Sequence, residues 1–69
     1  MNRKAIQEKL EIIQKAIRIR EEIEQIFTDT ISWNNNARKE GEPPIDPDPD
    51  GKLAKMASAL DKFIQANTQ

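Results

Sequence analysis

Residues 2–36, NRKAIQEKLEIIQKAIRIREEIEQIFTDTISWNNN, decide the fold of this chain. The segment contains no glycine and no proline, and it holds eight of the ten isoleucines in the sequence. Its apolar side chains recur at intervals of three and four residues, which is the period of an amphipathic α-helix. The sequence therefore predicts one long helix over about residues 2–36.

Two apolar stripes run along this predicted helix. The first stripe contains Ile6, Leu10, Ile13 and Ile17. The second stripe contains Ile12, Ala16, Ile19, Ile23, Ile26, Thr30 and Trp33. At about 100° per residue the two stripes are adjacent and together cover roughly 200° of the helix surface. One neighbouring helix cannot cover so wide an arc, so the pattern predicts more than one packing partner.

The connector contains all four prolines and both glycines, in the segment EGEPPIDPDPDG at residues 40–51. Proline fixes its own backbone and favours extended conformations in the preceding residue, so we expect a stiff loop over about residues 37–48. Ile45 is the only large apolar residue of the loop and is expected to dock on the helices. Asp48 and Pro49 suit an N-cap and the first helical position.

The second helix is therefore predicted over about residues 49–67. Its apolar stripe is narrower than those of the first helix and contains Leu53, Met56, Leu60, Phe63 and Ile64. A helix of this length covers only about half of the long helix when it folds back, because each residue adds about 1.5 Å. The rest of the long helix then has to find another chain.

Chain length points to self-association. A lone domain of 69 residues buries a marginal core, and such domains usually gain stability from disulfides, metals or oligomerisation. The sequence has no cysteine and no histidine, which excludes disulfides and the usual zinc ligands. We predict an all-α fold in which residues 1–69 form a two-helix hairpin that closes into a homodimeric bundle. The predicted dimer seam comprises Ile6, Leu10, Ile13, Ile17, Arg20 and Glu24.

Charge is segregated along the chain, although the net charge is only −1. Residues 1–20 carry six basic and two acidic side chains, residues 21–50 carry two basic and nine acidic ones, and residues 51–69 carry three basic and one acidic. Antiparallel long helices place opposite charges together, so we expect an antiparallel dimer. Arg20 and Glu24 lie inside the apolar arc, where they form either a simple i,i+4 pair or a pair that fixes the dimer register.

Asp46, Asp48, Asp50 and Gly51 match the start of an EF-hand calcium loop. The match then fails, because Ala57 stands where the bidentate glutamate is required. An acidic spacer that leads into a helix is favoured over a calcium site, and no metal or cofactor is expected.

No set of catalytic residues is evident in the sequence. Ser32 and Ser58 have no histidine partner, and the paired carboxylates lie on a helix surface that nothing desolvates. We expect no enzymatic activity. The lack of cysteine, of a signal peptide and of a long apolar run favours a cytoplasmic protein that does not enter the membrane.

Protein binding is the expected function. Trp33 is interpreted either as a core residue that covers the end of the hairpin or as an exposed anchor for a partner. The predicted partner-binding residues lie at the hinge end of the hairpin, and they are Trp33, Asn35, Arg38, Lys39, Ile45, Asp46 and Asp48.

The size and layout of the chain resemble those of the accessory proteins that phages and mobile elements make to silence host regulators or defence enzymes. This resemblance implies a small inhibitor or adaptor that occludes a larger protein. The alternative is a small dimeric nucleic-acid-binding protein that uses the basic half of the first helix. That half contains Arg3, Lys4, Lys9, Lys15 and Arg18, which alternate with Glu8 and Glu11.

Overall fold

The structure, a computed structural model, describes residues 2–37 and 41–68. These two ranges contain two α-helices and no strand: α1 spans Arg3–Ala37 and α2 spans Lys52–Asn67. Helix α2 folds back antiparallel to α1 and packs along its middle. The predicted all-α two-helix hairpin is confirmed.

The line along which α1 meets α2 takes residues from both predicted stripes. Its members follow one another at alternating intervals of three and four residues, and they are Ile13, Ala16, Arg20, Ile23, Phe27, Thr30 and Asn34. Ile13 and Ile23 are 6% and 4% exposed and are the most deeply buried side chains of this line. The spacing is that of a helix packed against one neighbour, as at the a and d positions of a coiled coil.

The packed face of α2 is centred on Ala57, which is its only buried residue in the described part of the chain. Leu53, Leu60 and Ile64 are half-buried beside Ala57. Met56 and Phe63, which also belong to the predicted apolar stripe of the second helix, are exposed. The buried residue of α2 at the contact with α1 therefore has a small side chain, and the larger side chains of Met56 and Phe63 lie outside the contact.

Arg20 joins the two helices by charge as well as by packing. Its Nη1 lies 2.9 Å from Oε1 of Glu24, so the two side chains form an i,i+4 ion pair within the chain. Its Nε donates a hydrogen bond of 3.0 Å to Oδ1 of Asp61 on α2. The guanidinium therefore sets the register of the two helices within one chain.

Helix α2 begins at Lys52, three residues after the predicted start at Pro49. Asp48 to Gly51 form a turn in which the Gly51 N–H donates to the Asp48 carbonyl oxygen at 3.3 Å. Gly51 occupies the left-handed region with φ 73°, a conformation that glycine adopts without steric cost.

Asp48 caps α2 although it lies in the turn before the first helical residue, Lys52. One carboxylate oxygen accepts from the Leu53 N–H at 2.9 Å and the other from the Ala54 N–H at 3.1 Å. These are two of the free donors that open every α-helix.

The hairpin is one helix thick. Its principal dimensions are 59 × 20 × 13 Å, and its radius of gyration is 16.9 Å, against about 11 Å for a compact domain of this length. Stable domains generally consist of at least two packed layers around a core. A single chain of this protein supplies only one such layer.

The Asp48→Ala variant tests the cap. We expect the free energy of unfolding to fall by about 1–2 kcal/mol, because two helix N–H groups lose their acceptor. Urea unfolding followed by far-UV circular dichroism measures the change. Asp46→Ala is the matched control, since the Asp46 carboxylate accepts from the Asp48 N–H within the loop and, among the described residues, from no N–H of α2. Equal losses in the two variants would contradict the assignment of Asp48 as the cap.

Candidate protein-binding surfaces

Large apolar side chains cover much of the surface of the hairpin, and none of the described side chains is fully buried. The exposed ones are Ile6, Leu10, Ile12, Ile17, Ile19, Ile26, Ile31, Trp33, Ile45, Met56 and Phe63. The accessible surface is 5848 Å², whereas a compact monomer of 7.9 kDa exposes about 4,400 Å². The excess of roughly 1,400 Å² exceeds the ~800 Å² that each partner buries in a standard interface.

One broad side of the hairpin is largely apolar, and we call it the isoleucine face. It consists of Ile12, Ile19 and Ile26 on α1 and of Met56, Leu60 and Phe63 on α2. Its centre is an open groove of about 440 Å³ lined by apolar side chains alone, where Ile19 meets α2. Apolar surface of this extent marks interaction sites in soluble proteins.

The opposite side of the hairpin is mixed in character. The ion pairs of Arg20 with Glu24 and Asp61 cross its middle, where Ser58 also lies. Exposed apolar residues flank this polar centre, and they are Leu10, Ile17 and Ile31.

The predicted dimer seam falls on this mixed side. Ile13 is buried within the chain and therefore cannot reach a second copy, while Arg20 and Glu24 are engaged in ion pairs. Ile6, Leu10 and Ile17 are exposed. The six seam residues therefore do not form a continuous apolar strip in the hairpin.

At the hinge end, Asn34 holds the loop against α1. Its Nδ2 donates to the Ile45 carbonyl oxygen at 2.9 Å, and its Oδ1 accepts from the Ile45 N–H at 2.8 Å. The side-chain amide thus pairs with the backbone as a neighbouring strand does. Ile45 was expected to dock through its side chain, but it docks through its backbone and leaves the side chain 48% exposed.

Asn34 was not among the predicted hinge residues, which included only its neighbours Trp33 and Asn35 from this part of α1. The available signal was chemical: an asparagine amide carries both a donor and an acceptor, and it can therefore satisfy both backbone groups of one loop residue. The spacing also separates the two asparagines, because Asn34 continues the contact line of α1 four residues after Thr30, whereas Asn35 lies off this line and is exposed.

The other predicted hinge residues are only partly brought together. Trp33 is 42% exposed, so part of its side chain is open to solvent within one chain. Asp46 accepts from the Asp48 N–H at 3.1 Å, which stiffens the loop beyond Ile45. Arg38 and Lys39 lie outside the residues that the structure describes.

The aspartate carboxylates of the loop accept hydrogen bonds from backbone N–H groups. Asp50 accepts from the Lys52 N–H at 3.1 Å, and Asp46 and Asp48 accept from N–H groups as described above. Across residues 2–37 and 41–68 no three histidine, cysteine or acidic side chains are grouped as a metal ion would require. Neither α1 nor α2 is long and apolar enough to cross a membrane.

No protein-family model matches the chain, and comparisons with curated proteins and with solved structures found no significant match.

The Asn34→Ala variant tests the contact that holds the loop. We expect amide hydrogen exchange of Ile45 to become about fivefold faster or more, since the lost bonds have a net value of about 1 kcal/mol. Exchange measured by NMR gives the change residue by residue. Asn35→Ala, at the neighbouring position, is expected to leave the Ile45 amide unaltered. The same rate in wild type and Asn34→Ala would refute the role of Asn34.

Proposed function

We propose that this protein is a non-enzymatic binding module that acts by surface contact, as a small inhibitor or adaptor that occludes a site on a larger protein. The binding site is the hinge end of the hairpin. Its apolar anchors are Trp33 and Ile45, and its polar rim includes Asn35, Asp46 and Asp48. Arg38 and Lys39 are proposed members from the sequence.

The observation that carries this proposal is the double hydrogen bond between Asn34 and Ile45. These bonds fix the backbone of Ile45, whose side chain is exposed, and they are made by Asn34, which directly follows the exposed Trp33 in the sequence. A rigid loop loses little conformational entropy on binding, which favours affinity. Tryptophan at the centre of a small apolar patch is the side chain that most often dominates binding energy.

The size of the chain and its charge pattern favour occlusion of a partner over chemistry. We propose the reducing cytoplasm as the compartment, on the ground of the cysteine-free sequence. The layout is also that of the small antagonists that phages and mobile elements direct at host regulators or defence factors, and we propose such a host protein as the target class.

Nucleic-acid binding by the basic half of α1 has weaker support. The basic side chains of Lys4, Lys9 and Lys15 are exposed, but Glu8 and Glu11 are exposed among them. Described residues of this half include no aromatic side chain on which a base could stack. The alternative requires a complex with DNA or RNA that weakens steeply as salt rises.

Quantitative capture tests the proposed site. The wild-type chain, Trp33→Ala, Ile45→Ser and the control Ile31→Ser are immobilised and exposed to lysate of the organism that carries the gene. Ile31 is a suitable control because it is an exposed apolar residue near the same end of α1. We expect one larger protein that both the wild type and Ile31→Ser retain.

Binding of that protein, once purified, is then measured by calorimetry. Trp33→Ala is expected to weaken it by about 30-fold or more, as truncation of a dominant interface residue does. Equal affinity of wild type and both hinge variants would exclude the hinge end as the site. Retention of nucleic acid in place of a protein would favour the alternative function.

A further inference from the structure

We infer that the isoleucine face is covered by a second copy of this chain, with the two α1 helices antiparallel and Ile19 near the two-fold axis. This surface differs from the predicted seam, and its α1 row continues to Trp33, where it adjoins the proposed hinge-end site. The inference rests on the apolar character of the face, on the surface that a single hairpin leaves uncovered, and on the charges along its edge.

The apolar positions of α1 repeat every seven residues on both sides of its contact with α2. On one side they are Ile12, Ile19, Ile26 and Trp33, and on the other they are Leu10, Ile17 and Ile31, interrupted by Glu24. In a two-stranded coiled coil these flanking positions are usually charged, because only one partner helix is present. Apolar residues there indicate a helix that packs against more than one neighbour.

The isoleucine face is the better of the two sides for a self-complementary interface. Its α1 row is uninterrupted, and α2 extends it with Met56, Leu60 and Phe63. The other side would bring the carboxylates of Glu24 and Asp61 into the interface. These lie within hydrogen-bond distance of Arg20, but they are still partly exposed and would lose their water.

The charge pattern of α1 favours a second copy of this chain as the occupant of the face. It also favours an antiparallel arrangement of the two α1 helices. Residues 3–20 of α1 carry six basic and two acidic side chains, whereas residues 21–37 carry four acidic and no basic ones. The two halves therefore have net charges of +4 and −4. Antiparallel α1 helices place each basic half beside an acidic half, and parallel helices place like charges together. The chain is thus electrostatically complementary to itself.

The charge pattern of α1 also indicates the register of the two antiparallel helices. The charge changes sign between Arg20 and Glu21, so the halves match best when the helices cross near this point. Ile19 is the apolar residue of the face nearest to it. A crossing at Ile19 places Ile12 opposite Ile26 of the second copy. It also places Lys15 beside Glu22 of the second copy at the edge of the face, twice by symmetry.

Two isoleucines separated by one residue provide a matched pair of variants for the first test. Ile19 and Ile17 are 45% and 36% exposed and lie on opposite sides of the hairpin. We expect Ile19→Lys to raise the dimer dissociation constant by about 100-fold or more, since it places a charge in the apolar interface. Ile17→Lys is expected to change it by less than about tenfold, as for most residues outside the centre of an interface.

Sedimentation equilibrium measures both dissociation constants. A larger effect of Ile17→Lys would overturn the assignment, because it would move the interface to the mixed side. A wild-type chain that stays monomeric at about 100 μM, where even weak dimers with micromolar Kd associate, would leave the isoleucine face to a different occupant and overturn the proposal as well.

Distances between spin labels test the direction without disturbing the face. Gln7→Cys and Gln14→Cys place a nitroxide at exposed positions, and the chain has no other cysteine. In the proposed register the two copies of residue 7 are about 36 Å apart along the axis and those of residue 14 about 15 Å, at 1.5 Å per residue. Parallel helices give equal distances for the two sites, and that result would contradict the inference.

An exchange of charges tests the register. Lys15→Glu and Glu22→Lys are each expected to weaken the dimer by about threefold to tenfold at low salt, because each places two pairs of like charges side by side. The double variant restores the opposite charges and is expected to regain wild-type affinity within about twofold. Failure of the double variant to recover would refute the pairing of Lys15 with Glu22.

Discussion

The apolar arc of α1 is wider than one neighbouring helix can cover. Helix α2 buries the line through Ile13, Ala16 and Ile23, and it leaves the apolar rows on both sides of this line in water. A hairpin 13 Å thick has no second layer of its own. The elongated shape, the absence of a fully buried side chain among the described residues, and the excess accessible surface are all consequences of this geometry.

Little apolar surface is buried between the two helices, so polar contacts help to fix the arrangement of the hairpin. Arg20 links α1 to Asp61 of α2, Asn34 links α1 to the backbone of Ile45, and the carboxylate of Asp48 closes the start of α2. Each contact contributes no more than about 1–2 kcal/mol at such exposed positions. They orient the elements relative to one another, while the apolar rows on both sides of the contact with α2 are left exposed and contribute little to the stability of a single chain.

The sequence was sufficient to predict the two helices and the hairpin, but it did not predict which sides of the hairpin are apolar and exposed. The period of the apolar residues in 2–36 and the clustered prolines were sufficient for two helices and a hairpin, because both are local signals. The start of α2 was misplaced, since Asp48 caps from across a turn that Gly51 completes. The contact of Asn34 with Ile45 was missed because it joins residues 11 apart and depends on the path of the loop. Which residues of α1 are buried and which are exposed depends on the position of α2. Helix α2 covers Ile13 and leaves Ile19 exposed.

Helix content as a function of concentration tests the account most directly, since a one-layer hairpin is expected to be stable only when its open face is covered. Far-UV circular dichroism and sedimentation velocity are recorded on the full-length chain over a dilution series from high to low micromolar. We predict a species of twice the 7.9 kDa chain mass that loses helix content as it dissociates. A monomer that keeps its full helix content and unfolds cooperatively at the lowest concentration would contradict the account.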